Sequence, residues 1–419
     1  MKVLIVGGGG REHALAWKIA KSKSVNKIYC APGNGGISRI AQCIPIKAMD
    51  IKGMVDFSVE SKVDLVVVSP DDPLAAGMVD ALQAVGIRAF GPVRDAAIIE
   101  SSKEFSKNLM KKYCIPTAEY DVYDNPDEAF KHLRHRKYPL VIKADGLAAG
   151  KGVIIAQTYD MAVEAIQKIM GDRIFGDAGN KVIIEEFLTG KEVTVLAFTD
   201  GKTLIPMVSS QDHKKVYDCD IGPNTGGMGA FSPSKYYTPE IANECMKTIF
   251  TPTIEAMNKE GLKFKGVLYF GLMLTDEGPK VLEYNARFGD PETQVILPRL
   301  KNDIIEIFNA VIGEKLDKIN IEWDYEEAAC IIAASGGYPG EYKTGYEIKG
   351  VEETEKEENI IIFHAGTRYE NGRYYTAGGR VLGVTALDST LKMAVNRAYK
   401  GIAKIGFKDM HYRKDIGIK

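Results

Sequence analysis

The chain has 419 residues, which exceeds one ordinary domain and indicates about three. Its 54 basic and 56 acidic residues leave a formal net charge of -2, so no overall field would recruit nucleic acid or an anionic membrane. The six cysteines lack the paired spacings of zinc or redox sites, and no apolar run reaches the roughly 18 residues of a membrane span. We therefore expect a cytoplasmic protein without nucleic-acid or membrane partners.

The N-terminal stretch has the pattern strand, glycines, helix. An apolar strand, Lys2 to Val6, precedes four glycines, and a helix is predicted from Arg11 to about Lys21. Free N–H groups at such a helix start favour an anion, but a dinucleotide fingerprint needs glycine where Glu12 stands. A dehydrogenase is therefore disfavoured, and a sugar phosphate is the better ligand. The residues predicted to hold its phosphate are Gly8, Gly9, Gly10 and Arg11.

Two further strand-loop-helix units follow, with strands at Lys27 to Cys30 and Leu65 to Val68. Repeated units of this kind form a parallel sheet whose ligands bind at the carboxyl ends of the strands. We predict a Rossmann-like domain over residues 1–100. A helix predicted over Lys103 to Lys112 then begins with Lys103, at an end where the helix dipole disfavours a cation unless an anion is nearby. Lys103 is thus a candidate phosphate contact, and the alternative is an ordinary solvated lysine.

Residues 117 to about 188 are predicted to form a small lobe with a glycine-rich hairpin between strands Leu140 to Lys143 and Val153 to Ala156. A P-loop would need one more residue between its glycines, a hydroxyl residue at Gly152 and a helix afterwards. The pattern favours a lid over nucleotide phosphates, which Lys143 would reach from below, while a tolerant surface hairpin is the alternative. The hairpin contacts are expected from Gly150, Lys151 and Gly152.

The strand after the lobe ends in a stretch that is typical of a hinge. Its backbone could bond an adenine edge, its apolar side chains could enclose the ring, and Glu192 could accept the ribose hydroxyls. An ordinary strand end is the alternative. The hinge residues are Glu185, Glu186, Phe187 and Leu188.

Two polar loops come next, Ser209 to Lys215 and Gly222 to Gly229. Asp212 could bind an ammonium group, whereas His213 lacks a nucleophile partner and is more typical of a structural residue. Glycines in the second loop would let the backbone approach a substrate closely, although an ordinary turn is the alternative. The candidate contacts there are Asn224, Gly226 and Gly227.

The segment Val281 to Gln294 is predicted to be a strand that runs into a polar loop, paired in a hairpin with strand Gly266 to Leu274. Strand alternation places Val281, Glu283, Asn285 and Arg287 on one face and Leu282 and Tyr284 on the other. Glu283 and Asn285 offer the hard oxygen ligands that Mg²⁺ prefers, and Arg287 could hold a carboxylate or a phosphoryl group. A polar edge strand is the alternative.

The remaining chain is predicted to contain a helix over Pro298 to Val311 and a last domain over residues 326–419. That domain is expected to have three strands and a final helix from Ser389 to about Ile405. The strands are Ala328 to Ala334, Ile360 to Ala365 and Arg380 to Ala386.

Lys103, Lys143, the hinge and the pair Glu283 and Asn285 occur in the order typical of ATP-grasp enzymes. Five motifs together resemble the family of phosphoribosylamine–glycine ligases, which act in purine biosynthesis. They lie at residues 9–14, 143–152, 210–214, 222–229 and 287–292. The resemblance implies a multidomain fold of α/β and α+β type. Its parts would be an N-terminal Rossmann-like parallel-sheet domain (1–100), an ATP-grasp core (101–325) with a small mobile lid lobe (117–188), and a C-terminal small β/α domain (326–419).

The resemblance also implies an enzyme that uses ATP, Mg²⁺ or Mn²⁺, glycine and 5-phosphoribosylamine, with glycyl phosphate as the intermediate. We expect this enzyme to be a monomer. The lysines, lid and hinge named above would bind ATP. Arg287 would stabilise the acyl phosphate, either Asp212 or Asp290 would hold the glycine ammonium, and Pro291 would contact substrate. A carboxylase subunit would share the ATP clamp but would not be expected to carry the Arg287 to Gln294 run. A binding module would hold ATP without turnover.

Two features depart from the family pattern. The strand segment Tyr269 to Met273 lacks the additional metal-binding acid of many ATP-grasp enzymes, so a second tightly held metal is not expected. The loop after the third strand usually opens Gly-Pro-Glu in the family but is Ser69-Pro70-Asp71 here. Asp71 keeps the negative charge of that glutamate, but its side chain is shorter.

Overall fold

The N-terminal part of the molecule is a parallel five-stranded sheet covered by helices. The computed structural model describes residues 1–148 and 152–418. The sheet has the order β3-β2-β1-β4-β5, as expected for repeated strand-helix units. Its strands are β1 (Lys2–Gly7), β2 (Lys27–Pro32), β3 (Gln42–Cys43), β4 (Leu65–Val68) and β5 (Ala89–Phe90). Its helices are α1 (Gly10–Ile19), α2 (Ile51–Glu60), α3 (Asp71–Ala75), α4 (Met78–Ala84) and α5 (Arg94–Ser101).

A sixth helix follows at once and leads into the small lobe. Helix α6 (Lys103–Lys112) begins at the predicted lysine, because the side chain of Ser102 accepts a hydrogen bond from the Phe105 N–H at 3.0 Å and caps it. The lobe is an antiparallel sheet of order β6-β9-β7-β8 with two helices. Its elements are β6 (Tyr120–Tyr123), α7 (Pro126–Leu133), β7 (Leu140–Ala144), β8 (Val153–Ala156), α8 (Tyr159–Ile166) and β9 (Val182–Glu186).

The central sheet is antiparallel and has the order β11-β10-β16-β17. Helices α9 (Pro239–Cys245) and α10 (Thr251–Lys259) pack beside it and are joined by one π-helical turn, Met246–Phe250. The strands of this region are β10 (Lys191–Thr199), β11 (Leu204–Pro206), β12 (Gln211–Asp212), β13 (Lys215–Tyr217), β14 (Ile221–Asn224), β15 (Gly229–Ser232), β16 (Gly266–Thr275) and β17 (Gly278–Asn285).

Strand β17 contains a bulge that the sequence analysis did not anticipate. Leu272 on β16 pairs with Val281, whereas the preceding Gly271 pairs with Glu283, so Leu282 is an extra residue. A bulge reverses the alternation of side chains on one side of it. Val281 is therefore buried in the core with Tyr284, while Leu282 lies on the same side as Glu283. The predicted faces of Val281 and Leu282 were wrong.

The C-terminal part contains a five-stranded antiparallel sheet of order β12-β15-β18-β23-β20. Two of these strands come from the central part of the chain, so the sheet crosses the boundary expected near residue 325. A smaller sheet of order β19-β22-β21 lies beside it. The elements are α11 (Thr293–Ile296), α12 (Ile304–Ile312), β18 (Glu327–Ala334), β19 (Glu347–Ile348), α13 (Val351–Thr354), β20 (Ile360–His364), β21 (Thr367–Glu370), β22 (Arg373–Thr376), β23 (Arg380–Asp388) and α14 (Leu391–Ile402).

Two local predictions for this part need correction. The helix expected over Pro298 to Val311 begins only at Ile304, because the Asp303 side chain accepts the Ile305 N–H at 2.9 Å and starts a new helix there. The hairpin of β21 and β22 was missed. The pair Asn371 and Gly372, both at positive φ, is the hairpin signal that could have revealed it.

The apolar core runs across the parts of the molecule. One cluster of buried side chains joins Leu4 of the N-terminal sheet to Phe270 of the central sheet. Another joins Val3, Leu196 and Phe363, one from each of the three large sheets. No helix among the described residues is both long and apolar enough to cross a membrane. The sheets are thus packed against one another, with the cavity described next among them.

Candidate active site

A cavity of about 740 Å³ lies where the N-terminal part, the lobe, the central sheet and the C-terminal sheet meet. Most of the residues predicted to bind ligand line it. They are Arg11, Lys103, Lys143, Gly152, Glu185, Glu186, Phe187, Leu188, Glu192, Asp212, Asn224, Gly226, Glu283, Asn285, Arg287 and Asp290. Gly8, Gly9, Gly10, Gly227 and Pro291 lie outside this lining. The two other lid residues, Gly150 and Lys151, lie outside the described residues.

One end of the cavity carries lysines. Lys103 donates to the carbonyl of Gly146 at 2.8 Å, which ties the start of α6 to the lid strand region. Lys143 Nζ and Lys107 Nζ each lie 2.9 Å from a different oxygen of Glu185. Burial lowers the pKa of Lys107 to about 8, although Glu185 opposes that change. Lys107 was missed in the sequence analysis, because a lysine one turn after Lys103 is ordinary on a helix surface.

The carboxylate of the predicted hinge residue Glu185 is already paired within the protein. The carboxylate of Glu185 is held between two lysines, and its residue pairs with strands on both sides of β9. Phe187 and Leu188 follow the end of β9 and line the cavity, and adenine binding at this hinge stays a prediction.

An apolar cluster adjoins the hinge. Leu188, Ala118 and Met273 are buried together, and Leu282 packs against them. These four side chains form an apolar surface that can enclose a planar ring. The bulge in β17 places Leu282 there, so this surface depends on the deviation from regular alternation.

The two predicted metal ligands lie side by side at the end of β17. Lys214, 3.4 Å from Glu283, holds the pKa of that carboxyl down to about 2 despite burial, and Lys143 and Lys103 add to the effect. Asn285 Oδ1 accepts a hydrogen bond from Arg287 at 3.2 Å. Among the described residues no group of three or more His, Cys, Asp or Glu could hold a metal. An ionised carboxylate and an amide oxygen fit Mg²⁺, which takes its other ligands from water and phosphates.

Arg287 is held by a buried acid that the sequence analysis missed. Its Nη2 lies 3.1 Å from Glu100 Oε1, and Glu100 Oε2 accepts the Ala286 N–H at 2.7 Å. Burial raises the pKa of Glu100 to about 7, with Arg287 opposing that change. Asp71 lies farther away, at 3.9 Å from Arg287. Nothing in the spacing along the chain connects Glu100 with Arg287.

Asp212 lies in an acidic part of the cavity. Burial raises its pKa, Lys214 lowers it, and Glu292, Glu192 and Glu283 raise it further. Glu292 is buried and accepts a hydrogen bond from the Tyr269 hydroxyl at 3.1 Å. Carboxylates that crowd together in a buried site favour a bound cation. The acidic surroundings of Asp212 therefore favour the binding of an ammonium group.

Asp290 has a different set of partners. Its carboxylate lies 3.0 Å from Arg380 Nη2 and accepts a hydrogen bond from Gln294 at 2.6 Å. Arg380 also donates to the carbonyls of Gly226 at 2.7 Å and Asp290 at 2.8 Å. Burial would raise the pKa of Asp290, but Arg380 and Arg11 hold it below its usual range. Arg380 comes from β23 and was missed, because it follows Asp290 by 90 residues.

Glu12 occupies the start of α1. Its Oε2 accepts the Gly9 N–H at 2.6 Å, and its Oε1 accepts hydrogen bonds from Arg11 at 2.7 Å and Ser69 at 2.5 Å. The helix N-terminus therefore already faces a carboxylate, which agrees with the argument against a dinucleotide. Arg11 lines the cavity and also donates to Phe288 O at 3.1 Å. Phosphate binding by Gly8, Gly9 and Gly10 stays a prediction.

Comparison with known proteins covers the whole chain. Residues 1–100, 101–293 and 328–419 match the N domain, the ATP-grasp (A) domain and the C domain of phosphoribosylglycinamide synthetase. A phosphoribosylamine–glycine ligase of Caldanaerobacter subterraneus subsp. tengcongensis is 50% identical over 416 residues, 99% of each chain. One of Clostridium acetobutylicum is 47% identical over 417 residues, 100% of this chain and 99% of the relative.

Comparison with solved structures agrees with these sequence matches. The phosphoribosylamine–glycine ligase of Thermotoga maritima has a TM-score of 0.85 at 33% identity, covering 99% of this chain and 100% of that one. A biotin carboxylase of Campylobacter jejuni has a TM-score of 0.75 at 13% identity, covering 100% and 94%. The second likeness shows the fold alone. The predicted multidomain fold with an ATP-grasp core is confirmed.

Proposed function

We propose that this chain, which belongs to the phosphoribosylglycinamide synthetase family, joins glycine to 5-phosphoribosylamine at the expense of ATP. The products would be glycinamide ribonucleotide, ADP and phosphate. The observation that carries the proposal is the end of β17, where ionised Glu283, Asn285 and Arg287 line the same cavity as the lysines Lys103 and Lys143. Such a site can bind nucleotide phosphates and stabilise charge during transfer.

ATP would lie along the lobe side of the cavity. Its adenine would enter the apolar surface that includes Leu188, Met273 and Leu282, and Glu192 would accept the ribose hydroxyls. Its phosphates would reach Lys103 and Lys143, and Gly152 would contact them from the lid. Phosphate contacts from Gly150 and Lys151, which lie outside the described residues, are predicted from the sequence alone.

Glu283 and Asn285 would hold one Mg²⁺ or Mn²⁺ ion. When bound, such an ion neutralises phosphate charge and orients the transferring group. The protein's own contribution is the depressed pKa of Glu283, which keeps that ligand ionised across the physiological range. Lys214 offsets the negative charge of Glu283 in this structure. A bound metal cation would take over part of that role.

Asp212 would hold the glycine ammonium, because it lies in the acidic part of the cavity, whereas Asp290 is bound by Arg380. The glycine carboxylate would then attack the γ-phosphorus of ATP, forming glycyl phosphate and releasing ADP. Lys103 and Lys143 would stabilise the charge that develops on the phosphates, and Arg287 would stabilise the acyl phosphate.

The second step forms the amide. The amine of phosphoribosylamine would attack the carbonyl carbon of glycyl phosphate, lose a proton and displace phosphate. Its own phosphate would bind near Arg11 and the glycines Gly8 to Gly10, at the carboxyl end of β1. Asn224, Gly226, Gly227 and Pro291 would contact the same substrates from the facing loops. We further propose a cytoplasmic monomer with units 1–100, 101–325 and 326–419.

The test is ADP release from Mg²⁺-ATP and freshly made phosphoribosylamine, with glycine present or absent. Alanine and bicarbonate serve as alternative acids, and the Arg287→Ala variant purified in the same way controls for contaminating ATPases. Release that requires both substrates and prefers glycine is expected. Release that bicarbonate alone supports would indicate a carboxylase reaction on the same ATP clamp, and no release would reject the substrate assignment.

A further inference from the structure

A short hairpin at the rim of the cavity is attached to the last residues of the chain. It consists of β13 and β14, with Lys215 opposite Asn224 and Tyr217 opposite Ile221. Within the part of the chain that the structure describes, these two strands form a sheet of their own. Lys215, Asp220 and Asn224 line the cavity. We call residues 215–224 the rim hairpin.

The rim hairpin has little intrinsic stability. A hairpin of two strands is marginal in water by itself. Its tip also contains two successive residues in the left-handed region, Cys219 with φ 59° and Asp220 with φ 57°. Residues other than glycine stay in such conformations only when their surroundings hold them, and such positions concentrate at functional sites. Contacts from outside the hairpin must therefore fix its tip.

Arg413 binds strand β13 and the tip of the rim hairpin. Its Nη1 donates to the Lys215 carbonyl at 3.0 Å, and its Nη2 lies 2.9 Å from Asp220 Oδ1. The Arg413 side chain is fully buried, and Asp415 binds it through two contacts of 2.8 Å. A guanidinium held by a carboxylate in this fork geometry has a fixed orientation. Its contacts to the hairpin are fixed with it.

The neighbours of Arg413 bind the tip directly. Asp415 Oδ2 accepts the Cys219 N–H at 2.9 Å, and the Lys414 N–H donates to Asp218 Oδ1 at 2.7 Å. Each of the three tip residues Asp218, Cys219 and Asp220 thus has a partner in residues 413–415. Residues 413–415, the C-terminal segment, thus make the stabilising contacts that neighbouring strands would make in a larger sheet.

We propose that Arg413 and Asp415 are positioning residues that keep the rim hairpin in the conformation presenting Asp220 and Asn224 to the substrates. The hairpin continues into Thr225 and Gly226, and Arg380 binds the Gly226 carbonyl together with Asp290. The rim hairpin therefore borders the end of the cavity at which glycine and phosphoribosylamine would react. The identity of those substrates rests on the proposed function.

The test compares Asp415→Asn and Arg413→Lys with Asp388→Asn. Asp388 forms a comparable ion pair with Arg397, at 2.7 Å, in the same C-terminal region but outside the cavity lining. Two readouts are needed, hydrogen exchange of the amides of residues 217–220 and the steady-state constants for each substrate. The first requires no turnover.

For Asp415→Asn we expect exchange at the tip to be at least about tenfold faster, because the Cys219 amide loses its charged acceptor. The KM for glycine or phosphoribosylamine should rise at least about fivefold, with the KM for ATP unchanged and kcat within about twofold. Arg413→Lys keeps the charge without the fork and should give a smaller change in the same direction. Asp388→Asn should match the wild type in both readouts.

Unchanged exchange and unchanged KM in Asp415→Asn would overturn the inference. A fall in kcat with every KM unchanged would also overturn it, because loss of folded enzyme has that signature. If the wild type releases no glycine-dependent ADP, the proposed function fails by itself. The exchange difference between Asp415→Asn and Asp388→Asn then still decides whether the C-terminal segment fixes the hairpin.

Discussion

A buried histidine pair between the N-terminal and C-terminal sheets should make the protein sensitive to mild acid. His13 Nδ1 accepts the backbone N–H of His364 at 2.7 Å, and both side chains are buried. Burial lowers the pKa of His13 from 6.5 to about 3, and burial together with His13 lowers that of His364. A proton on His13 Nδ1 would also remove the acceptor of this hydrogen bond.

The sign of the effect follows from proton binding. Between about pH 6.5 and pH 3 the unfolded chain binds a proton at His13 and the folded chain does not, so the free energy of unfolding falls as the pH falls. From pH 7 to pH 5 the loss amounts to about 2 kcal/mol for one such histidine. His13→Asn should remove this loss, because the asparagine Oδ1 can accept the same hydrogen bond and does not titrate.

The measurement is urea unfolding at pH 7 and pH 5. The Trp17 ring contacts Phe363 edge-on, with centroids 5.9 Å apart, so its fluorescence reports on this same contact. A Trp323→Phe background leaves Trp17 as the single tryptophan of the chain. His135→Asn, at an exposed position of the small lobe, is the matched control. An equal change in unfolding free energy with and without His13 would refute the reasoning.

Three further predictions concern the cavity and the glycine loop beside it. Arg287→Ala should lower turnover by about a thousandfold while ATP affinity, measured by calorimetry, stays near that of the wild type; near-normal turnover would remove Arg287 from the mechanism. Glu283→Gln should raise the Mg²⁺ concentration for half-maximal rate by at least about tenfold, and an unchanged requirement would place the metal elsewhere. Gly227→Ala should lower the melting temperature more than Gly372→Ala, since both have positive φ but only the first would bring a Cβ within 2.4 Å of a neighbour, Pro291 Cδ. Equal melting temperatures for the two variants would show that the Gly227 loop moves aside at no cost.

Local patterns were sufficient for much of the fold. The run of strand, glycines and helix at Lys2 to Lys21 corresponds to β1 and α1, and Ser102 caps the helix that begins at Lys103. A tight turn joins β16 and β17 in the predicted hairpin. These features depend on contacts within about four residues, which spacing along the chain describes directly.

Local sequence was also sufficient to pair the two proposed metal ligands. Glu283 and Asn285 are two residues apart on one strand, so strand geometry places them on one face. The same reasoning failed at Val281 and Leu282. A bulge depends on how the partner strand β16 pairs, and that is a property of the sheet.

The partners of the key side chains were decided by the tertiary structure. Glu100 meets Arg287, Arg380 meets Asp290, and Lys107 shares Glu185 with Lys143. These partners are separated by tens to hundreds of residues, and no period or spacing connects such positions. The sequence by itself determined most of the elements, the family resemblance and the chemical groups at the ends of the strands. Only the packing of all parts of the molecule around one cavity decided which charges face each other, because burial and long-range contact set the pKa and orientation of each group.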